Sequence, residues 1–129
     1  MKSIKTIVFP VLAAAIWISI SEVVRNEFLV KTHWIEHYDK MDLVFPAEAI
    51  NGAIWGLWAL LFAIAIYIIS NKFSLLQTFF LSWFVGFVLM WVVIGNLGVL
   101  PYATLYFAIP LSLLEAFVAT YIIVKLKNL

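Results

Sequence analysis

Residues 47–94 read AEAINGAIWGLWALLFAIAIYIISNKFSLLQTFFLSWFVGFVLMWVVI, in which two long apolar runs flank the short polar segment Ser70-Asn71-Lys72-Phe73. At about 1.5 Å per helical residue, each run can cross a hydrocarbon core of about 30 Å. A connection this short brings the two helices side by side in opposite directions. The stretch therefore predicts an antiparallel pair of membrane helices at about 47–69 and 75–94.

Two more apolar stretches lie towards the ends of the chain. Residues 4–29 follow a short basic start, and no small-residue cleavage site follows them, so we expect a retained first membrane helix. The last span must include Pro110, because a helix that began there would be too short before Lys125 to cross the membrane. It is therefore expected to begin near Tyr102 and to be kinked. The four expected spans are 4–29, 47–69, 75–94 and 102–124.

The composition agrees with this assignment. The chain has 129 residues, of which 66% are hydrophobic and 12% charged, and its mean hydropathy is +1.10. A soluble globular chain is about 45–50% apolar and about 25% charged. We therefore predict a single membrane domain over residues 1–129, with membrane lipids as its surroundings. The net charge of +1 gives no argument for nucleic acid, and the absence of cysteine excludes disulfides and thiolate metal sites.

Basic residues lie mainly at one end of the predicted spans. That side holds Lys2, Lys5, Lys72, Lys125 and Lys127, and the other side holds Arg25, Lys31 and Lys40 among many acids. Because basic residues favour the cytoplasmic side, both termini are expected in the cytoplasm. The predicted fold is an all-α integral membrane protein, an antiparallel four-transmembrane-helix bundle of a cell membrane such as the bacterial inner membrane.

The long polar segment between the first two spans, residues 30–46, is expected on the outer side. Its apolar residues Val30, Trp34, Tyr38 and Met41 recur at three- or four-residue spacing. The segment therefore predicts either an extension of the first helix or a short amphipathic helix on the outer surface.

His33-Trp34-Ile35-Glu36-His37 in this segment fits the H-x-x-E-H pattern of the inverzincin peptidases. Two histidines one helical turn apart can both reach a zinc ion. A catalytic site also needs a third protein ligand, which the sequence does not mark. A solvated helix face, adventitious or regulatory metal binding by His33 and His37, and a zinc site therefore remain as alternatives.

The segment Ser112-Leu113-Leu114-Glu115-Ala116 places a carboxylate near the middle of the last span. An acid at that depth is energetically expensive, so it is usually paired, protonated or functional. Six further charged or amide residues, in or beside the spans, fall in the outer half of the membrane: Glu22, Arg25, Asn26, Glu48, Asn51 and Asn96. This asymmetry predicts a polar pocket open to the extracytoplasmic side with Glu115 at its floor.

Several of these residues also have a structural interpretation. Glu22 and Arg25 are one helical turn apart and could form a structural pair or extend towards the headgroups. Glu48 follows the expected helix start at Pro46, where the helix dipole favours an acid. Locally satisfied polar residues without a common pocket are therefore the alternative.

Two features of the second span bear on packing and binding. Gly52-Ala53-Ile54-Trp55-Gly56 is a G-x-x-x-G motif, which predicts a close helix contact either within the chain or in a homodimer. Trp55 is either an ordinary core or lipid-facing aromatic residue or part of a cavity wall that holds a cation or an apolar ligand.

Three functions remain open from the sequence. The first is a small transporter or ligand-binding protein for a cationic or lipid-like molecule, with Glu115 as the binding or coupling acid. The second is an accessory subunit that assembles with another membrane protein. The third is a membrane-embedded enzyme acting on a lipid-like substrate, with Glu22, Glu48 or Glu115 as acid or base and Arg25 as an anion clamp. No cofactor-binding motif is visible, and we predict no cofactor.

Overall fold

The computed structural model describes residues 4–129, which are helical and contain no β-strand. The α-helices are α1 (Ile4–Val23), α2 (Lys31–Lys40), α3 (Ala49–Ser70), α4 (Leu75–Trp83), α5 (Leu89–Asn96) and α6 (Leu105–Lys127). Wider π-helical turns continue α1 over Val24–Leu29 and join α4 to α5 over Phe84–Val88. A 3-10 turn, Tyr102–Thr104, leads into α6. Lys2, which entered the charge argument, lies outside the described residues.

Four of the helical stretches are long and apolar enough to cross a membrane: Ile4–Leu29, Ala49–Ser70, Leu75–Asn96 and Tyr102–Lys127. This confirms the predicted number of apolar helices and indicates a multi-pass membrane protein. Large apolar side chains also cover the outside of the bundle, as lipid contact requires, and Phe9 and Ile68 are 57% and 60% exposed.

Small side chains hold the centre of the bundle together. Helix α1 packs against α3 and α6, and α6 also packs against α3 and α4. The contacts between these helices include alanines with no exposed surface: Ala14, Ala59, Ala63, Ala116 and Ala119. Such residues let helix backbones approach closely, which drives association in a solvent as apolar as the side chains themselves.

Gly86 is the point where the third span meets the Phe62 side chain of α3. A Cβ atom on Gly86 would lie 2.6 Å from Cε1 of Phe62. The Phe62 ring stacks on Trp58 at 5.0 Å between centroids, and the Phe87 ring meets it edge-on at 5.5 Å. Beyond this contact α5 stands apart from the other helices at the level of the backbone. The third span therefore leaves a gap in the half of the bundle that contains α5 and α2.

Candidate functional site

The gap beside α5 is a cavity of about 430 Å³. Its walls come from the end of the first span, the first half of α3, α5 and the start of α6. Residues of α2 and of the loop after it, including Trp34 and Phe45, complete the lining. Ligand pockets in proteins commonly measure about 300–1,000 Å³, so this cavity has room for a small molecule.

Most of the lining is apolar, with a high share of aromatic rings. The rings belong to Trp34, Tyr38, Phe45, Trp55, Trp58, Phe87 and Trp91. Trp58 and Phe87 meet edge-on at 5.6 Å, and Phe87 contacts Trp91 at 5.9 Å, so neighbouring rings fix one another in position. Aromatic faces attract cations as well as apolar groups.

The polar part of the wall lies where α1 passes into its π-helical turn. Arg25 donates from Nη2 to Oε1 of Glu22, and Asn26 donates from Nδ2 to Oε2 of the same carboxylate at 3.0 Å. Glu22 and Arg25 are only 4% and 6% exposed. The Arg25 guanidinium also lies over the Phe87 ring, 5.5 Å from its centroid. The predicted pairing of Glu22 with Arg25 is therefore present, and the pair forms part of the cavity wall.

Glu115 lies behind Arg25 and does not line the cavity. Its Oε1 atom is 3.6 Å from Nη1 of Arg25, which is an ionic contact but too long for a hydrogen bond. Both carboxyl oxygens of Glu115 and the Nη1 atom of Arg25 are buried without a hydrogen-bond partner among the described residues. Arg25 therefore contacts two acids, with one guanidinium nitrogen directed to each, and the carboxyl groups of Glu22 and Glu115 are also neighbours of each other. We call Glu22, Arg25 and Glu115 the ion cluster.

Contacts between α1 and α6 hold the ion cluster at a fixed height. Trp17 on α1 donates from Nε1 to the backbone carbonyl of Glu115 at 3.0 Å. One turn earlier on α6, the Ser112 hydroxyl accepts from Nε1 of Trp83 at 2.9 Å and donates to the carbonyl of Ile109. These bonds tie α6 to α1 and α4 just after Pro110, which cannot donate a backbone bond.

Helix α2 lies at the end of the cavity away from the alanine-packed centre of the bundle and is attached at two points. Trp34 donates from Nε1 to Oδ1 of Asn26 at 3.2 Å, and its ring stacks on Phe45 at 5.7 Å. Nε2 of His37 lies 2.7 Å from the carbonyl oxygen of Gly98, in the connection between α5 and α6. Asn26 therefore links α2 to the Glu22 carboxylate.

Of the eight residues proposed for ligand or proton binding, five line the cavity and a sixth contacts one of these five. Glu22, Arg25, Asn26, Asn51 and Trp55 line the cavity, and Glu115 contacts Arg25 from behind. Glu48 instead lies at the start of α3, where its backbone N–H donates to Oδ1 of Asn51 at 2.9 Å. Asn96 is exposed at the end of α5.

The two candidate metal ligands have other neighbours. The His33 ring packs against Phe107 at 6.4 Å, and His37 contacts Gly98 as described above. Over residues 4–129, no three potential ligands among His, Cys, Asp and Glu come close enough to hold a metal ion. The structure therefore supplies no third ligand to this pair.

The glycine motif of α3 faces an open groove. Cβ atoms added to Gly52 and Gly56 would meet nothing within 4 Å, so no described residue is in close contact with the two glycines. A smaller groove of about 160 Å³ runs beside the two glycines, between α3 and the first span, and Glu22 and Trp55 contribute to its lining. Glu22, Asn26 and Trp55 therefore border both this groove and the larger cavity.

Sequence reasoning missed the wall formed by the third span. Phe87, Met90, Trp91 and Ile94 line the cavity, but in the sequence they are indistinguishable from lipid-facing residues. Their spacing of three or four residues places them on one helix face, which is the only signal the sequence offers.

No protein-family model, no curated protein and no solved structure matches this chain.

Proposed function

We propose that this protein binds an apolar organic cation in the outer cavity, as a small transporter or ligand-binding protein of a cell membrane. The observation that supports this most directly is the buried Glu22 carboxylate in the wall of an aromatic cavity. The rings offer apolar contact and cation–π attraction, and the carboxylate offers a counter-ion for a positive group.

The charges favour a cation over an anion. The ion cluster contains two carboxyl groups and one guanidinium, so it can accept one further positive charge. The approach to the cavity is also acidic: between residues 27 and 48, the acids are Glu27, Glu36, Asp39, Asp42 and Glu48, and the bases are Lys31 and Lys40. A site lined by one sign of charge attracts the opposite charge and repels its own.

The rings of the cavity are suited to such a ligand. Arg25 already lies over Phe87, so one of these ring faces is in contact with a cation in the structure itself. Trp55, Trp58 and Trp91 provide three more indole rings in the lining, and tryptophan gives the strongest cation–π attraction. The rings of one cavity can therefore contact the apolar groups of such a ligand and also attract its positive charge.

The arrangement in the membrane belongs to the same proposal. We propose an antiparallel four-helix bundle with both termini in the cytoplasm, because the basic residues cluster at that end of the spans. In this orientation α2 lies on the extracytoplasmic side, and a ligand reaches the cavity from outside the cell or from the outer leaflet. The inner membrane of a bacterium is a suitable setting.

Binding of two ions of similar size and opposite charge tests the proposal. The purified full-length protein in detergent is titrated with tetraphenylphosphonium and, separately, with tetraphenylborate, and binding is followed by equilibrium dialysis. We expect the cation to bind and the anion to bind at least about tenfold more weakly, because the anion would meet the Glu22 carboxylate.

Two variants identify the carboxylate responsible. Glu22→Gln is expected to weaken binding of the cation by at least about tenfold, since it removes a buried countercharge. Glu27→Gln is the matched control for the acidic approach, because Glu27 lies outside the cavity lining, is half exposed and pairs with Lys31 on the surface. Its loss is expected to weaken binding much less than Glu22→Gln, since an exposed charge is screened by solvent. Equal binding of the two ions, or equal effects of the two variants, would refute the proposal.

A further inference from the structure

We infer that Glu115 is a proton-binding site and that Arg25 links it to Glu22, so that one organic cation entering the cavity displaces one proton. This inference rests on the proposed function and specifies how the same site is coupled. It assigns Glu115 a role that acts through Arg25, since Glu115 does not line the cavity.

The first argument is the unsatisfied state of the Glu115 carboxyl group. The residue has no exposed surface, and neither carboxyl oxygen has a hydrogen-bond partner among the described residues. Arg25 is the cation facing it, at 3.6 Å, but Arg25 already donates a hydrogen bond to Glu22. A buried ionised carboxylate without hydrogen bonds is strongly disfavoured, and a proton on Glu115 removes that charge.

The second argument is charge balance in a medium of low dielectric constant. With Glu22 ionised, Arg25 charged and a proton on Glu115, the ion cluster is neutral. If a cation joins Glu22 and the proton leaves Glu115 for water, the ion cluster and its ligand are neutral again. A cation that entered without release of the proton would leave one uncompensated positive charge in the membrane, which is costly.

The third argument is the geometry of Arg25. Its guanidinium already spans both acids, with Nη2 on Glu22 and Nη1 directed at Glu115. Closing the 3.6 Å gap to a charge-assisted hydrogen bond of about 2.8 Å requires a small movement of one side chain. Asn26 holds the other oxygen of Glu22 at 3.0 Å and can keep that carboxylate in place while Arg25 moves.

Few other groups face Glu115. From the first span these are Glu22, Arg25 and the hydroxyl group of Ser21. Among the described residues, α3 and α4, which also pack on α6, bring no charged side chain to the carboxyl group. The proton equilibrium of Glu115 is therefore governed by its two partners in the ion cluster.

The test counts protons released when the cation binds. Tetraphenylphosphonium is added to the full-length protein in weakly buffered detergent solution, and the pH change is recorded with an indicator dye. We expect about one proton per bound cation and, over a tested range of about pH 6 to about pH 8, an affinity that rises with pH by at most about tenfold per unit. A merely structural role of Glu115 would produce neither effect.

Two substitutions at position 115 assign the proton. Glu115→Gln resembles the protonated acid but cannot release a proton, so we expect weaker cation binding, no proton release and no dependence on pH over this range. Glu115→Asp retains a carboxyl group and is expected to retain proton release. Size-exclusion chromatography and thermal unfolding establish that each variant is folded.

The outcomes separate this inference from the proposed function. If the wild-type protein binds no cation, the proposed function fails, and this inference fails with it. If the cation binds through Glu22 but releases no proton, the coupling is wrong and the proposed function stands. Proton release that persists in Glu115→Gln would also overturn the assignment to Glu115. If that variant does not fold, the number of protons released by the wild-type protein still tests whether cation binding displaces a proton.

Discussion

Replacing Gly86 with alanine is expected to destabilise the bundle, whereas the same replacement at Gly56 is not. The added Cβ atom at Gly86 would lie 2.6 Å from Cε1 and 3.1 Å from Cζ of Phe62. At Gly56 it would meet nothing within 4 Å. Both glycines lie in membrane spans and receive the same atom, so the pair isolates the effect of the Phe62 contact.

The size of the effect follows from how tightly the Phe62 ring is held. The ring is 7% exposed, with Trp58 stacked on it at 5.0 Å and Phe87 edge-on at 5.5 Å. It cannot turn away from the new atom without displacing one of these rings, and overpacking of this kind costs about 1–3 kcal/mol. Alanine is also a better helix former than glycine by up to about 1 kcal/mol, which applies to both sites. The free energy of unfolding should therefore differ between the two variants by about 1–3 kcal/mol.

Reversible unfolding in mixed micelles, followed by tryptophan fluorescence and circular dichroism, measures this difference. A third variant combines Gly86→Ala with Phe62→Leu, which removes the ring atoms that the new methyl group would meet. The double variant is expected to lose less stability than the sum of the two single variants, by about 1 kcal/mol or more. Equal stability of Gly86→Ala and Gly56→Ala would refute the argument that this contact sets the spacing of the two helices.

Two further predictions concern the ends of the spans. The chain contains no cysteine, so a single introduced cysteine can report topology. A membrane-impermeant maleimide should label Val44→Cys in intact cells, but Asn128→Cys only after permeabilisation. The reverse labelling pattern would contradict the proposed orientation. The ammonium group of Lys127 donates a hydrogen bond of 2.7 Å to the Ser70 hydroxyl, and this bond connects the ends of α6 and α3. Lys127→Met removes the bond and should lower the free energy of unfolding by about 0.5–1.5 kcal/mol. The control is Lys125→Met, whose ammonium group lies over a tyrosine ring; an equal loss in both variants would contradict this role of Lys127.

The sequence was sufficient for the four apolar helices because membrane thickness imposes a length that can be counted along the chain. Depth can be counted in the same way, so the sequence predicts that Glu22, Arg25 and Asn51 all lie in the outer half of their spans. These three residues line one cavity in the structure. Each helical residue adds a fixed rise of about 1.5 Å along the axis, so the position of a residue in the sequence gives its height directly.

Rotation of a helix about its own axis could not be read in this way. The height of Glu115 follows from the sequence, but its place outside the cavity lining does not, because that depends on which face of α6 meets α1. The rotation is fixed by the packing of small residues such as Ala14 and Ala116, and many alanines in these spans could have served equally well. For the same reason Trp91 could not be distinguished from a lipid-facing residue.

The cavity and the ion cluster depend on the same helix contact. Gly86 lets the third span approach α3 at Phe62, and the next residue, Phe87, carries the ring over which the Arg25 guanidinium lies. Below this level the bundle is closed by alanines, and above it α5 stands apart. The close approach therefore sets the floor of the cavity at the height of the charged residues. A shift of Phe87 would move the aromatic support of Arg25 and with it the balance between Glu22 and Glu115, so we expect packing at Gly86 and cation binding at Glu22 to change together.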